Sequence, residues 1–312
     1  MNAPLVLPAG IYSDIPMERY LADPCAEPSL SSGAAHTILT RSPFHAWADH
    51  PRNPHRIPGD ESTDMDIGSI AHALLLEKSD EKACVIDPQD YPGQRGGVPV
   101  GWTNNAIRAA RDEARAGGKV PILLADMERV RAMRDAALEY IARSEISGAF
   151  EDGEAETTVI AQEGDVWLRA RPDWLTNDRR MHISFKTTPG SAEPNSFIRF
   201  RLSSLGYDMQ LAFYARAIAA ATGEAPPESC ILVQETKPPY RCALIGLAPP
   251  LADLCDRKVS RAIDLFGQCI ASGRWPEYPS RICYADPLPW QEAQFDEKEM
   301  IDEWQEKEGL QA

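Results

Sequence analysis

The sequence lacks close-spaced cysteines, long apolar runs and any excess of positive charge, and each absence removes a class of protein. Its seven cysteines stand at 25, 84, 230, 242, 255, 269 and 283, an odd number with no Cys-x-x-Cys pair. Zinc and iron–sulfur sites want closely spaced ligands, so these read as reduced, mostly buried thiols. Apolar runs are short pieces such as Leu74–Leu76, far below the ~20 residues that span a bilayer. Met1–Gly10 has no basic segment followed by an apolar stretch, so no secretory leader and a cytoplasmic location are expected. No internal repeat is evident. Lys and Arg total 32 against 47 Asp and Glu, a formal charge of −15. Such a surface repels phosphate on average. Nucleic-acid binding, if present, must be local, in a basic channel or through bound cations.

What is there is ordinary globular material, 43% hydrophobic and 25% charged. The 312 residues allow two units of ~150 residues or one elaborated α/β domain. Pro, Gly and Asp cluster at 51–60 and 87–101, which read as loops. Between them Ile67, Ile70, Ala71 and Leu74 recur at helical spacing, which places His72 on a helix beside its buried stripe. Helices are expected over 103–116 and 126–144. The period then changes. Residues 154–161 alternate, 166–171 read as a return strand after the turn at 162–165, and 181–186 as a third, making an antiparallel meander. Helical spacing returns over 207–221, two strands follow over 229–234 and 242–247, and a long helix over 251–272. That order predicts an α/β domain with a mixed central sheet flanked by helices.

Asp173 follows the second strand of the meander and Lys186 closes the third. Polar groups at the ends of neighbouring strands converge, as open sheets build their sites. A carboxylate there can hold Mg²⁺, and a nearby lysine can orient water or offset charge on a phosphate.

Three runs carry a larger pattern: Arg171-Pro172-Asp173-Trp174, Ile183-Ser184-Phe185-Lys186-Thr187-Thr188, and Gly206-Tyr207-Asp208-Met209-Gln210-Leu211-Ala212-Phe213-Tyr214. With Gly68-Ser69-Ile70-Ala71-His72, the segment 29–43 and Gln234-Glu235 before Pro238-Pro239-Tyr240, they resemble the PD-(D/E)XK nuclease superfamily. More narrowly, the chain is similar to the phage and prophage exodeoxyribonuclease VIII (RecE-like) nuclease domain, over about residues 10–275. The resemblance implies a nuclease-like core at 151–275. A helical N-terminal section, 1–150, would carry His72 and pack on it, and 276–312 would form a Pro-rich, then acidic tail.

The resemblance also implies roles. His72 would approach or ligate the metal, Asp173 would be its principal carboxylate and Lys186 the catalytic lysine. Glu156 would support the metal or its water, and the Phe185 carbonyl would add a backbone ligand. Gln210 and Tyr214, four apart on one helical face, would sit beside the site. One position departs from the family: Ser184 stands where an acidic metal ligand is expected, and a hydroxyl supplies no negative charge. The acid has then migrated, with Glu156, Asp208 and Glu235 as candidates, or metal binding is weakened. Arg171, with Arg169, Arg179 and Arg180, flanks the meander, and Arg199 and Arg201 precede the Gln210 helix. Such residues can line a local DNA channel. The implied activity is a Mg²⁺-dependent exonuclease, with Mn²⁺ as the alternative ion, acting on duplex DNA ends in phage or prophage recombination. Its implied partners are a single-strand annealing protein and further copies of itself in a ring. The rival expectation is a catalytically silent nuclease-fold module that binds DNA or protein.

Overall fold

The change of period near residue 153 marks the place where the two main sheets of the fold meet. The computed structural model describes residues 6–56, 63–93, 97–307 and 309. The first five residues of the segment read for a leader, and parts of the loops at 51–60 and 87–101, lie outside the described residues.

Strand β1 (Gly10–Tyr12), helix α1 (Met17–Leu21) and β2 (Ser29–Leu30) are followed by α2 (Ser32–Thr40) and α3 (Pro43–Ala48). Ser31 and Ser42 cap these two helices, their hydroxyls accepting from the N–H groups of Ala34 and His45. Helix α4 (Thr63–His72) runs into a π-helical turn, Ala73–Glu77, that ends on Lys78 in the left-handed region. Then come β3 (Ala83–Ile86), α5 (Asn105–Ala116), β4 (Val120–Leu123) and α6 (Leu124–Ala142). Strands β3 and β4 form a small parallel sheet of their own.

The alternating segment at 154–161 is two strands, β5 (Gly153–Ala155) and β6 (Thr158–Glu163). They are broken at Glu156, which has φ 57°. Strand β7 (Val166–Ala170) returns on β6 as expected. The third strand does not continue that ladder. A short strand unmarked in the sequence, β8 (Trp174–Thr176), intervenes, and β9 (Met181–Thr188) pairs with β8. The meander is therefore divided between two sheets. Pro172 explains the division locally, since proline offers no N–H to a ladder.

Helix α7 (Pro194–Phe197), a second π-helical turn (Ile198–Leu202) and α8 (Tyr207–Thr222) precede β10 (Glu228–Glu235), β11 (Cys242–Gly246) and α9 (Pro249–Ser272). One sheet has the order β1-β6-β7-β2 and the other β11-β10-β9-β8-β5. The second is mixed, as expected: β9 and β10 are parallel and the other pairs antiparallel. A separate unit begins at Glu277 and contains α10 (Pro289–Lys307), which buries none of its residues.

Alternation along β9 decides what faces the site. Ile183 and Phe185 pack with Ile70 and Leu74 of the α4 segment and Met133 and Ala137 of α6. The opposite face carries His182, Ser184 and Lys186 and is covered by α8, whose Leu211 carbonyl lies 3.3 Å from His182 Nε2. Helix α8 also packs Met209, Phe213 and Ala217 against Val159 and Leu168 of β6 and β7. It therefore serves both sheets. All seven cysteines are free thiols, in keeping with their spacing.

His182 is fully buried, and burial pushes its imidazole down to about 4. It is neutral in the fold, while the unfolded chain takes up a proton below its ordinary ~6.5. Its contribution is thus complete above ~6.5 and lost as pH falls through about 4. At about 1.4 kcal/mol per pKa unit the loss is on the order of 3 kcal/mol, and His182→Gln should flatten that part of the urea-denaturation profile against pH. Parallel profiles for the two proteins would mean that His182 does not carry the effect.

Candidate active site

Two crossings between the sheets place the carboxylates. Glu156 lies where the chain leaves β5 for β6, and Asp173 where it leaves β7 for β8. The Glu156 N–H donates to the Asp173 carbonyl at 3.1 Å, which clips the crossings together. A left-handed glutamate costs of order 1 kcal/mol and persists where its surroundings over-determine it. Here the side chain is held as well: Arg171 Nε donates to Glu156 Oε2 at 2.5 Å.

Asp173 is anchored in the same manner. Its Oδ2 accepts from the Phe185 N–H at 2.8 Å and from Lys186 Nζ at 3.2 Å. Each carboxylate thus commits one oxygen to the protein and turns the other toward His72. His72 Nε2 is 3.2 Å from Glu156 Oε1 and 3.5 Å from Asp173 Oδ1. The last residue of α4 is therefore brought onto the ends of two strands more than eighty positions away in sequence. A ring nitrogen of His72 and carboxylate oxygens of Glu77 and Glu156 also lie within 4.8 Å of one another. Sequence reasoning missed Glu77, because five positions along an α-helix from His72 is the wrong face. The available signal was Ala73–Leu76, four consecutive apolar residues that no single helical stripe can bury.

The electrostatics follow from this packing. Burial opposes ionisation of Asp173, but Lys186, His72 and the Phe185 N–H outweigh it and hold the carboxyl well below the usual carboxylate range. Burial likewise opposes a charged His72, yet Asp173 and Glu156 raise its pKa above the ordinary imidazole value.

Gln210 and Tyr214 are joined to each other, with Gln210 Nε2 donating to the Tyr214 hydroxyl at 3.1 Å. They sit on the helix that covers the Lys186 face of β9: the Tyr214 ring is 5.9 Å from that of His182, and Lys186 Nζ is 5.6 Å from the ring of Tyr207. Burial raises the Tyr214 hydroxyl well above its ordinary value. Ser184 is fully buried, and its Oγ has no hydrogen-bond partner among the described residues. Asp208 accepts from Ser203 and pairs with Lys258, while Glu235 accepts from the Ala192 N–H. No described contact brings either acid to His72. Of the three candidates for a migrated acid, Glu156 is the one placed at the cluster.

The arginines divide. Arg171 is buried, and its guanidinium is spent on Glu156, the Ile15 carbonyl and Thr158. Arg169 is buried too, donating to the Tyr20 carbonyl. Both are internal, which corrects the expectation that these two line a DNA channel; Arg179 and Arg180, named with them, are exposed. Arg199 and Arg201 are exposed on the second π-turn, on either side of an exposed Phe200.

A family model described as a PDDEXK-like domain of unknown function (DUF3799) matches residues 32–286. The chain belongs to this PDDEXK-like family. Among solved structures, a candidate exonuclease from Eubacterium rectale aligns over 90% of this chain and 98% of its own, at TM-score 0.51 and 10% identity. A phage-related exonuclease from Haemophilus somnus 129PT aligns over 54% and 82%, at TM-score 0.29 and 13% identity. The alkaline exonuclease LHK-Exo from Laribacter hongkongensis aligns over 55% and 85%, at TM-score 0.26 and 18% identity. The first of these likenesses establishes the fold; the other two are too low to argue from. No curated protein matches the chain. In this PDDEXK-like member no described helix is long and apolar enough to cross a membrane.

A divalent cation fits the residues of this PDDEXK-like site. His72 Nε2 is buried, faces two carboxylate oxygens and makes a hydrogen bond to neither. The uncommitted oxygens of the two anchored carboxylates are hard donors suited to Mg²⁺ or Mn²⁺, and the imidazole nitrogen, a borderline donor, favours Mn²⁺ of the two.

Proposed function

We propose that this chain is a divalent-metal-dependent DNA exonuclease acting at duplex ends, encoded by a phage or prophage and working in the cytoplasm of the bacterial host. It would leave single strand for an annealing protein and work as a ring of identical subunits, as the family resemblance implies. The observation that carries the hydrolytic reading is the convergence of His72, Glu156, Asp173 and Lys186 at the seam between two sheets.

His72 Nε2, Asp173 Oδ1 and Glu156 Oε1 would hold Mg²⁺ or Mn²⁺, together with the Phe185 carbonyl; the ion would lower the pKa of water and polarise the scissile phosphate. The remaining work belongs to the chain. Lys186, fixed by Asp173, presents a cation to the charge that grows on the phosphate and orients the attacking water. Arg171 holds Glu156 in place without touching substrate. Gln210, tethered to Tyr214, lies on the helix over the Lys186 face, where an amide can donate to a phosphate oxygen. Arg199 and Arg201 provide a local positive edge on an acidic protein, and Phe200 between them offers a ring on which an end base can stack.

Cleavage of linear duplex DNA with Mg²⁺ or Mn²⁺, and its loss in Lys186→Ala, is the direct test. Ser184 favours the second reading, a silent module, because the position is buried and uncharged. Ser184→Asp addresses it, since the new side chain shares a face of β9 with Lys186. A buried carboxylate with no cation should destabilise the metal-free protein by several kcal/mol, and added Mg²⁺ should recover part of that loss and raise cleavage. A neutral or harmful effect on cleavage, with wild type active, means that the acid is supplied elsewhere. If neither protein cuts with either ion, the silent module stands.

DNA contact has its own signature. Each neutralised phosphate contributes about 0.9 to the slope of log affinity against log salt. Arg199→Ala/Arg201→Ala should therefore reduce the slope by about 2 in filter-binding assays on duplex ends. An unchanged slope would move the DNA path elsewhere.

A further inference from the structure

We infer that Glu77 supplies the anionic ligand that the Ser184 position lacks, completing the divalent-cation site with His72, Glu156 and Asp173. The inference rests on the metal-site reading above and concerns a residue to which that reading gives no part. In an α-helix, residues five apart point roughly 140° away from each other. The turn Ala73–Glu77 is π-helical, and its i→i+5 bonding brings residues five apart back toward one side. That local change sets Glu77 beside His72, with its oxygen, a His72 nitrogen and a Glu156 oxygen within 4.8 Å of one another. Leu74, Leu75 and Leu76 share one buried cluster with Met127 and Val130 of α6 and Ile183 and Phe185 of β9, so Glu77 is carried on a packed element.

The charge count supports the assignment. Glu156 and Asp173 each spend one oxygen on a cation, Arg171 and Lys186, and Ser184 contributes none. Glu77 is the further carboxylate at the cluster. Both of its oxygens now accept from Lys82 Nζ at 2.8 Å, and the Lys82 side chain is 58% exposed. An exposed lysine yields such a contact readily, because an ion pair in water is worth little. Lys82 thus acts as a displaceable placeholder that keeps Glu77 at the site's edge until a divalent ion competes for it.

The test is Mn²⁺ binding to the full chain, read by calorimetry and by the electron-paramagnetic signal of free Mn²⁺, with circular dichroism to confirm folding. Glu77→Gln should weaken binding about tenfold or more. Lys82→Ala should tighten it severalfold, and this gain should vanish in the Glu77→Gln/Lys82→Ala protein, since Lys82 acts through Glu77. A folded Glu77→Gln with wild-type affinity overturns the inference, as does a Lys82→Ala gain that persists without Glu77. In either case a loss of Mn²⁺ binding in Asp173→Asn would leave the metal-site reading standing. If the wild-type chain takes up no Mn²⁺, both fall together.

Discussion

Asp173→Asn is expected to cost more than about a hundredfold in divalent-cation affinity and in cleavage, since loss of a mere supporting group around a metal already costs 10–100-fold. Asparagine keeps an oxygen for the Phe185 N–H but carries no charge to face His72 or to hold Lys186. The metal-free protein should lose on the order of 1–3 kcal/mol, because Lys186 is left without its anionic partner. Calorimetric metal titration beside a thermal scan separates the two effects. Intact metal binding with a large loss of stability would make Asp173 a structural residue and would falsify the assignment of the site.

The largest stability effect is expected far from that site. Asp23 is buried, and its carboxylate accepts from the Ser29 N–H at 2.9 Å and the Ser29 hydroxyl at 2.7 Å. His50, Arg52 and Arg169 gather around it at 3.6, 3.9 and 3.9 Å. One carboxylate therefore joins the loop before β2 to the end of α3 and to β7. Removing a single partner from a buried charge cluster costs about 3–5 kcal/mol, and Asp23→Ala should lower stability by that much. Asp23 also has φ 62°, a conformation that asparagine tolerates and alanine resists. Asp23→Asn keeps the backbone preference and one accepting oxygen for Ser29 but removes the charge. The gap between the two variants, read from urea denaturation, therefore measures the backbone preference together with that remaining hydrogen bond. A loss below about 1 kcal/mol in both would show that the cluster contributes little to the folded state.

The helices were legible because their apolar spacing was regular: α5 ends at Ala116 before Gly117-Gly118, and α8 stops at Gly223. The pairing of His72 with Asp173 and Lys186 was legible through family resemblance, and contact geometry adds the oxygens involved. Two things were hidden, for one reason. The meander divides at two crossings, the left-handed Glu156 and the segment through Pro172, and alternation of side chains reports neither. The approach of Glu77 depends on a π-turn, which a 3.6-residue period cannot register. Arg169 and Arg171 were misread because arginine is usually solvated; here internal acceptors and the Tyr20 ring, 5.3 and 5.6 Å from their guanidiniums, make burial tolerable.

The crossing of the chain at Glu156 and Asp173 makes the seam a crease, with the acids set on its line and a stiff panel of strands on either side. The hydrogen bond from the Glu156 N–H to the Asp173 carbonyl stitches the two sides of that line together, so each acid sits on a joint rather than inside either panel. Helix α8, packed on both panels, braces the joint from outside, with no described contact to either acid.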